Sequence, residues 1–454
     1  MKVCKFGGTS VASAQQIKKV AAIVQSDSSR KIIVVSAPGK RFSGDIKVTD
    51  LLIELGQASL AGERVEALFA NIVQRYADIA EALNLGPAIV GIIKNDLWSR
   101  LTADKANVNL YMDCIKASGE DNSAKLVSAY FVSIGLQAEY INPWDAGMIV
   151  NDLPERAQAL PEAYERLAAL RNTGSVGVFP GYFGFTKNGT LRTFERGGSD
   201  ITGSILAAAV KAELYENFTD VDCVFAANPH VIENPVAIDS MTYREMRELS
   251  YAGFAVFHDE ALMPAFKESV PVCIKNTNDP AAVGTMIVTE RDYSERPVTG
   301  ISADSGFSTL YVSKYLMNRE IGFGRKLLQI LEDEEVSYEH IPSGIDNLSV
   351  IIRSHQLTPE KEAHIVHRIK HELHADDVHI RSDFSMVVLV GEGMNNTTGL
   401  AARAASAIAR TGANIEMINQ GSSEVSLVFG VLKHDETKIV RELYQEFFEP
   451  ALVK

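Results

Sequence analysis

Apolar runs that end in glycine-rich or polar breaks alternate with helical patterns to about residue 290. Residues 2–6 and 31–36 read as buried strands. Between these two strands, apolar side chains recur at helical spacing at Ile17, Val20, Ala21 and Val24. A strand, a glycine loop, a helix and a second strand are the opening of an α/β fold with a parallel sheet.

Later segments continue this alternation. Helical patterns dominate residues 49–80, and Ser175–Phe185 reads as another buried strand that leads into a turn. An alanine-rich helix is predicted over Ile201–Lys211, and Leu214–Phe218 returns to strand character. We therefore expect one α/β domain over residues 1–292.

The remainder of the chain contains an internal repeat at one constant offset. The matched pairs are Gly322 with Gly399, Gly344 with Gly421, and Ser349 with Ser426. Each copy predicts a small α+β unit, one at 298–375 and one at 383–454, and the second copy can be inserted within the first. A duplicated domain with a purely structural role would give the same pattern. The alternative is a regulatory role, since paired small domains at the end of an enzyme often sense a ligand.

Composition excludes several classes of protein. The chain has 454 residues, 46% of them hydrophobic, and a net charge of −14, which disfavours nonspecific nucleic-acid binding. It has no apolar run long enough to span a membrane and no secretion signal. Its four cysteines lack metal-ligand spacing, so no metal site is predicted from them, and they suit a reducing cytoplasm.

The first candidate site is the loop after the N-terminal strand. Lys5 ends the strand, and Gly7 and Gly8 allow backbone N–H groups to approach an anion closely. Thr9 or Ser10 is expected to cap the following helix. A tight turn with a solvated Lys5 remains the alternative.

A second glycine loop has the same features as the first, namely a cation, two glycines and a candidate helix cap. Arg196 offers a bidentate fork to a carboxylate, and Gly197 and Gly198 expose N–H groups. Ser199 or Asp200 is expected to cap the helix that begins near Ile201. Two such loops in one chain predict a cleft that holds phosphate or carboxylate.

Two further segments carry weaker signals. Thr219 and Asp220 follow an apolar strand, where ligands bind in open α/β sheets, although Asp220 can equally be an ordinary cap. Glu120 follows a probable helix that contains Cys114 and Ile115. Its carboxylate can hold a substrate ammonium, but on sequence alone a solvated glutamate is the better interpretation.

Taken in order, these motifs resemble those of the aspartokinases. The resemblance rests on Lys-Phe-Gly-Gly-Thr-Ser at the start, Val48-Thr49-Asp50 after the Ser36-Ala37 strand end, Arg-Gly-Gly-Ser-Asp at 196–200, Thr-Asp-Val at 219–221, and a tail similar to two ACT domains. It covers essentially the whole chain. It implies an amino-acid-kinase-type three-layer sandwich with a mostly parallel sheet, followed by two ACT-type domains.

The resemblance also implies a reaction and its residues. ATP, with Mg²⁺, would phosphorylate the β-carboxylate of L-aspartate in the first step of lysine, threonine and methionine biosynthesis. The implied catalytic residues are Lys5, Arg196 and Asp220. The implied substrate-binding residues are Thr49, Glu120, Arg196, Gly197, Gly198 and Ser199. The implied ATP-binding residues are Lys5, Gly7, Gly8, Thr9, Ser10, Thr219, Asp220, Phe225 and His230.

Three places depart from the family pattern, and one is the segment 117–121 around Glu120, which differs from the usual apolar continuation. The family commonly has an arginine where this chain has His230, and many members have a lysine where it has Ala255. A histidine is mostly neutral at pH 7, so we expect weaker nucleotide binding.

The ACT-like tail implies feedback inhibition by an amino acid, most often lysine, and pairing into a homodimer or homotetramer. The implied allosteric residues are Met317, Glu320, Phe323, Gly324, Ser337, Tyr338, Glu339 and Gly344. Two rival functions stay open, namely a catalytically weak amino-acid sensor and a related kinase with another acceptor, such as glutamate. A fused homoserine dehydrogenase is not expected, because the length leaves no room for one.

Overall fold

The structure, a computed structural model, describes residues 1–195, 197–254, 261–294, 296–421 and 425–449. Arg196 and Ala255, both named from the sequence, lie outside the described residues. The chain divides into two compact units. The first comprises Met1–Val224, Ala237–Arg247 and Val256–Arg291, and the second comprises Phe225–Val236, Glu248–Ala255 and Asp292–Lys454. Across the described ranges, no helix has both the length and the apolar character that crossing a membrane requires.

The first unit is built on a mostly parallel eight-stranded sheet, in agreement with the predicted fold. The strands of this unit are β1 (Lys2–Phe6), β2 (Arg30–Val35), β3 (Ala138–Tyr140), β4 (Val176–Pro180), β5 (Phe183–Phe185), β6 (Leu191–Thr193), β7 (Leu214–Thr219), β8 (Ser240–Thr242), β9 (Val272–Asn276) and β10 (Thr285–Val288). The sheet order is β3-β4-β2-β1-β7-β9-β10-β8, and β5 and β6 form a separate hairpin. Only the β9–β10 pair in the large sheet is antiparallel.

Helices flank this sheet. They are α1 (Ala14–Gln25), α2 (Val48–Leu60), α3 (Glu66–Ala82), α4 (Pro87–Leu101), α5 (Val108–Ser133), α6 (Pro143–Ala146), α7 (Pro161–Leu167), α8 (Gly198–Ala209), α9 (Tyr243–Tyr251, which runs on into the second unit) and α10 (Met263–Lys267). One core cluster joins apolar side chains of β1 and β2 to those of α1, α2, α3 and α5. Because both faces of the central strands are covered, these strands are continuous apolar runs.

Three sequence predictions need correction. The run Ser175–Phe185 is two strands, β4 and β5, in separate sheets. The alanine-rich helix begins at Gly198 rather than Ile201. Glu120 does not follow a helix but lies inside α5, which continues through Gly119.

The second unit contains a five-stranded sheet. Its strands are β11 (Gly300–Ser313), β12 (Asn347–Arg353), β13 (Asp377–Val390), β14 (Met417–Gln420) and β15 (Ser426–Leu432), and its helices are α11 (Phe323–Asp333), α12 (Pro359–Glu372), α13 (Leu400–Arg410) and α14 (Glu436–Phe448). The order is β12-β11-β13-β15-β14, and all pairs are antiparallel.

The predicted repeat has a structural basis. Gly322 and Gly399 precede α11 and α13 with φ of 80° and 87°, a left-handed conformation that favours glycine. Ser349 lies in β12 and Ser426 begins β15, and each of these strands has seven residues. The glycine and serine matches therefore mark equivalent elements.

The two copies share long strands. The N-terminal half of β11 pairs with residues 385–390 of β13, and its C-terminal half pairs with residues 377–384. The sequence left open an insertion of the second copy within the first, and that order stays a prediction. The boundaries 292, 298–375 and 383–454 stay predictions.

Candidate functional site

Parallel strands β2, β1 and β7 end together at one edge of the large sheet. Phe6 pairs with Val35 on one side and with Phe218 on the other, so the segments that follow these three strands are neighbours. Ligands bind at this carboxyl edge in open α/β sheets. A pocket of about 690 Å³ opens here, and sixteen residues line it: Lys5, Ser36, Thr49, Asp50, Ile53, Lys116, Glu120, Glu155, Arg156, Tyr182, Phe194, Glu195, Gly197, Gly198, Ser199 and Asp200.

Lys5 is held on the pocket wall by a carboxylate. Its Nζ lies 2.7 Å from Asp200 Oδ1, and only 9% of the Lys5 side chain is exposed. Asn217 Nδ2 donates to the same Asp200 oxygen at 2.6 Å. Asp200 is therefore a positioning group for Lys5. From the sequence, Asp200 was predicted only as a helix cap, although it belongs to the Arg-Gly-Gly-Ser-Asp motif at 196–200.

The Gly7-Gly8 loop forms a tight backbone contact with the segment after β2. A Cβ on Gly8 would lie 3.0 Å from the Ala37 carbonyl oxygen, and Gly39 N–H donates to the Gly8 carbonyl oxygen at 2.8 Å. The Gly7 N–H donates to the Phe218 carbonyl oxygen at 3.1 Å, so it is not free to bind an anion. Glycine at these positions allows backbone segments to approach each other closely.

Neither Thr9 nor Ser10 caps α1. Ser13 is the N-cap, and its side chain accepts from the Gln16 N–H at 3.4 Å. Ser10 Oγ is buried and lies 2.7 Å from Thr277 Oγ1, whereas Thr9 is exposed. These two residues form a short 3₁₀ turn with Gly8 and Val11 instead.

The second glycine loop leads directly into α8. Gly197 is the N-cap with φ of 82°, and no side chain caps this helix, which corrects the expected role of Ser199 and Asp200. Both lie in the first turn, on the pocket wall. Gly181 allows this approach, because a Cβ there would lie 2.5 Å from Ser199 Oγ. The arginine of this loop, Arg196, stays a prediction.

Glu120 is a buried carboxyl on the pocket wall, not a solvated one. Its exposed fraction is 5%, the Ala37 N–H donates to it, and Oε2 has no hydrogen-bond partner within the described part of the chain. Burial raises the pKa of Glu120 to about 8. An unpartnered acid in a polar pocket is a candidate binding group for a cation.

Helix α2 brings a polar first turn to the pocket. Thr49, named from the sequence, lies there beside Asp50, and Ser36 reaches the pocket from the end of β2. Asp50 and Ser36 belong to motifs recognised in the sequence, but neither was predicted as a site residue. Their positions at a helix start and a strand end are the signal that could have identified them.

Lys116, Glu155 and Tyr182 also line the pocket, and none of them has a local sequence signal. Lys116 lies in α5 with its Nζ 2.6 Å from Glu155 Oε1 and 3.6 Å from Asp113 Oδ1. Tyr182 has φ of 81°, which is strained for a large side chain, and burial raises its pKa. Only the tertiary fold brings these side chains to the site.

Thr219 and Asp220 lie at the same sheet edge but do not line this pocket. Thr219 Oγ1 donates to Asp220 Oδ1 at 3.2 Å, and Asp220 is exposed. Asp200, not Asp220, is the aspartate in contact with Lys5. The catalytic role assigned to Asp220 stays a prediction.

Phe225 and His230 lie in the second compact unit. The His230 N–H donates to Asn228 Oδ1 at 2.9 Å, which is ordinary turn chemistry. Their assignment to nucleotide binding stays a prediction.

The carboxylates among the predicted allosteric residues are already paired. Glu320 lies 2.5 Å from Lys314 Nζ and 2.8 Å from Lys326 Nζ, which lowers the pKa of Glu320 to about 2. Glu339 lies 3.1 Å from Arg353 Nε. A ligand ammonium at either carboxylate would compete with these cations.

The other predicted allosteric residues differ in accessibility. Met317 and Phe323 are buried in the core under α11 and α12. Ser337 Oγ donates to Gln356 Oε1 at 2.9 Å, and Tyr338 is exposed. Gly324 has open space at its Cβ position, and the Gly344 N–H donates to the Asn347 carbonyl oxygen at 2.8 Å.

Known families account for most of the chain. Residues 1–276 match the family model described as the amino acid kinase family, and residues 387–447 match that of the ACT domain. The residues that line the carboxyl-edge pocket all lie within the first match. The chain therefore belongs to the amino acid kinase family and carries an ACT domain.

Within that family, the chain belongs to the aspartokinases. It is 54% identical to aspartokinase 3 of Bacillus subtilis over 453 residues, which cover 100% of both chains. The crystal structure of Clostridium acetobutylicum aspartate kinase matches it with a TM-score of 0.88 and 36% identity, over 98% of this chain and 100% of that one. Escherichia coli aspartokinase III, in complex with aspartate and ADP, matches with a TM-score of 0.79 and 25% identity, over 99% and 100%.

Proposed function

We propose that this chain transfers the γ-phosphoryl group of ATP to the β-carboxylate of L-aspartate and forms 4-phospho-L-aspartate. The observation that carries this proposal is one pocket that contains the Lys5–Asp200 pair and the buried Glu120 carboxyl, whose Oε2 has no hydrogen-bond partner among the described residues. Membership of the aspartokinases supports it, as does the aspartate and ADP complex of the Escherichia coli relative.

The acceptor needs no general base. An aspartate β-carboxylate is ionised at pH 7, since its reference pKa is about 3.9. The barrier therefore comes from bringing anions together in line and from charge on the transferred group. Lys5, fixed by Asp200 at the pocket wall, supplies a preorganised positive charge for that purpose.

Glu120 would bind the substrate ammonium. The free carboxyl is buried and partly desolvated, and a cation within hydrogen-bond reach restores its favoured ionised form. Thr49, Gly197, Gly198 and Ser199 would line the substrate from α2 and α8, and Arg196 would clamp the α-carboxylate.

ATP would lie at the sheet edge beside the Gly7-Gly8 loop, Thr219 and Asp220. Mg²⁺ binds few protein carboxylates and prefers phosphate and water oxygens. The Asp50 carboxylate on the pocket wall would supply one protein oxygen and the nucleotide phosphates the others, so the residues fit a magnesium–nucleotide complex. When bound, the ion neutralises charge on the phosphates.

Regulation would act through the ACT-type units, with lysine as the feedback amino acid. Exposed apolar side chains lie among and next to the predicted allosteric residues in the sequence. They are Tyr315 (74% exposed), Leu316 (41%), Ile321 (97%), Tyr338 (47%) and Ile345 (69%). Exposed apolar surface marks interaction sites, so we propose that a second copy of the chain pairs through this segment.

An acceptor screen tests the reaction. ADP release from MgATP would be measured with L-aspartate, L-glutamate or no acceptor, in protein verified as folded by circular dichroism. We expect ADP release with L-aspartate alone. Release with L-glutamate instead would favour the other kinase hypothesis. No release with any acceptor, combined with calorimetric binding of an amino acid, would favour the sensor.

A further inference from the structure

Helix α12 carries a row of histidines that the proposed kinase reaction does not use. Four of the ten histidines of the chain lie between positions 364 and 374. His364, His367 and His371 belong to α12, and His374 lies just beyond its end. Because side chains three and four residues apart share one face of a helix, the histidines of α12 form a single row.

This row lies on the solvent side of the helix. All four histidines are exposed. The opposite face of α12 carries Ile365 and Ile369, which are buried in the core formed with α11. The histidines therefore contribute nothing to the core, and their imidazole rings are accessible to a dissolved ion.

Two neighbouring members of the row lie against each other. The ring centroids of His367 and His371 are 4.1 Å apart, and the ring planes are tilted by 43°. Two histidines one helical turn apart are also the arrangement with which the His-Glu-x-x-His motif holds a metal ion. Small rotations of the two side chains would direct one nitrogen of each ring at a shared ion, without any change in the backbone.

The charges around this pair allow a cation to approach. Arg368 lies between the two histidines in the sequence, and its guanidinium is paired with Glu372 at 2.6 Å and with Asp333 at 2.9 Å. These carboxylates offset the positive charge that would otherwise repel a metal ion. His364 Nδ1 lies 2.8 Å from Glu334 Oε1, so this ring is engaged elsewhere. The two central histidines are therefore the ligands available to an ion.

We propose that His367 and His371 bind one divalent transition-metal ion, of the zinc, nickel or copper class, on the surface of the second unit. Imidazole nitrogen suits these ions, whereas Mg²⁺ prefers oxygen ligands, so this site differs chemically from a magnesium–nucleotide complex. No group of three or more histidine, cysteine or carboxylate ligands converges in the described ranges of the chain. Water would therefore complete the coordination and leave the ion exchangeable.

Metal binding at this pair would stabilise the folded second unit. The unfolded chain does not hold the two rings one helical turn apart, so the ion binds the native state preferentially. The proposal uses none of the residues assigned to the kinase pocket or to feedback. It therefore stands whether or not those assignments hold.

Calorimetry on the tag-free, full-length protein tests the site with Ni²⁺ and Mg²⁺. We expect wild type to bind Ni²⁺, and His367→Asn and His371→Asn each to weaken this binding by about tenfold or more, because either change reduces a chelate to a single imidazole. The Mg²⁺ titration should be the same for wild type and both variants. Ni²⁺ should also raise the melting temperature of wild type more than that of either variant.

A matched variant separates this pair from ordinary surface histidines. His434→Asn removes a single histidine that is 75% exposed in the same unit, and it should bind Ni²⁺ as wild type does. Melting curves without metal would verify that each variant is folded. The proposal is overturned if wild type binds no Ni²⁺ at millimolar concentration, or if His367→Asn and His371→Asn bind it as tightly as wild type.

Discussion

Individual side chains define the kinase pocket through pairing and burial. Lys5 is fixed by Asp200, and Glu120 is left buried without a full set of partners. Motifs next to strand ends predicted Lys5 and the glycine loops as site residues, whereas the binding role of Glu120 came only from the family resemblance. It missed Lys116 and Tyr182, because their place in the pocket depends on the packing of α5 and of the segment after β4 rather than on local pattern.

The pKa of Glu120 makes a prediction for substrate affinity. Burial raises this pKa to about 8, so at neutral pH the carboxyl is largely protonated in the free protein. An ammonium requires the ionised form, so the KM for L-aspartate should fall as pH rises from about 6.5 to about 8.5. Glu120→Gln should raise KM roughly tenfold at the upper pH and abolish this dependence. Initial-rate kinetics across that range measure both effects.

Stability provides the control for this variant. A raised folded-state pKa means that wild type loses stability as pH rises from the unfolded-state pKa, near 4.5, through about 8. Glu120→Gln should lack that loss in urea unfolding. A wild-type KM that does not change with pH would contradict the proposed role.

Elements set the shape of the site through close backbone contacts. The order strand, glycine loop, helix, strand was predicted from hydrophobic pattern, whereas the run of α5 through Gly119 was not. A Cβ on Gly119 would lie 2.8 Å from the Ala37 Cβ and 3.1 Å from Leu52 Cδ1, so this glycine serves close packing rather than a helix end. Sequence alone cannot distinguish these two uses of glycine.

Gly39→Ala tests the contact that supports the glycine loop. An added Cβ would lie 2.6 Å from the Gly8 carbonyl carbon and 2.8 Å from Thr9 N. Both are backbone atoms, so the clash can be relieved only by a backbone shift that distorts the loop. We expect a loss of about 1–3 kcal/mol in unfolding free energy and a higher KM for ATP. Gly91→Ala, in the interior of α4 with open space at its Cβ, is the matched control. It should leave the KM for ATP unchanged and raise the unfolding free energy by up to about 1 kcal/mol, because alanine favours the helix. Equal behaviour of the two variants in urea unfolding and kinetics would refute this role of the loop contact.

At the scale of the whole molecule, the chain combines an amino acid kinase domain with a regulatory tail. The repeat offset predicted two equivalent units, and the helix and strand matches support it. The pairing of β11 with β13 along both of its halves was not predictable, because strand pairing between distant segments has no local signal.

The exposed apolar side chains near the predicted allosteric residues make a prediction about the pairing of two copies of the chain. Ile321 is 97% exposed, and arginine there would place a charge in the proposed contact between copies. Ile321→Arg should lower the oligomer mass measured by light scattering and weaken inhibition by lysine. Val283→Arg changes an 80% exposed side chain in the first unit and should do neither. An unchanged mass for Ile321→Arg would place the pairing surface elsewhere.

The central claim is that this chain phosphorylates the carboxylate of aspartate with Lys5 as a charge-stabilising group. The most direct measurement is a hydroxamate assay, which traps an acyl phosphate, with MgATP and L-aspartate on wild type and on Lys5→Ala. We predict hydroxamate formation by wild type and a rate roughly 10²–10³-fold lower for the variant. Removing one partner of the buried Lys5–Asp200 pair lowers stability, so a cooperative thermal transition well above the assay temperature verifies that the variant is folded. Equal rates would remove Lys5 from the mechanism, and no hydroxamate from folded wild-type protein would contradict the account.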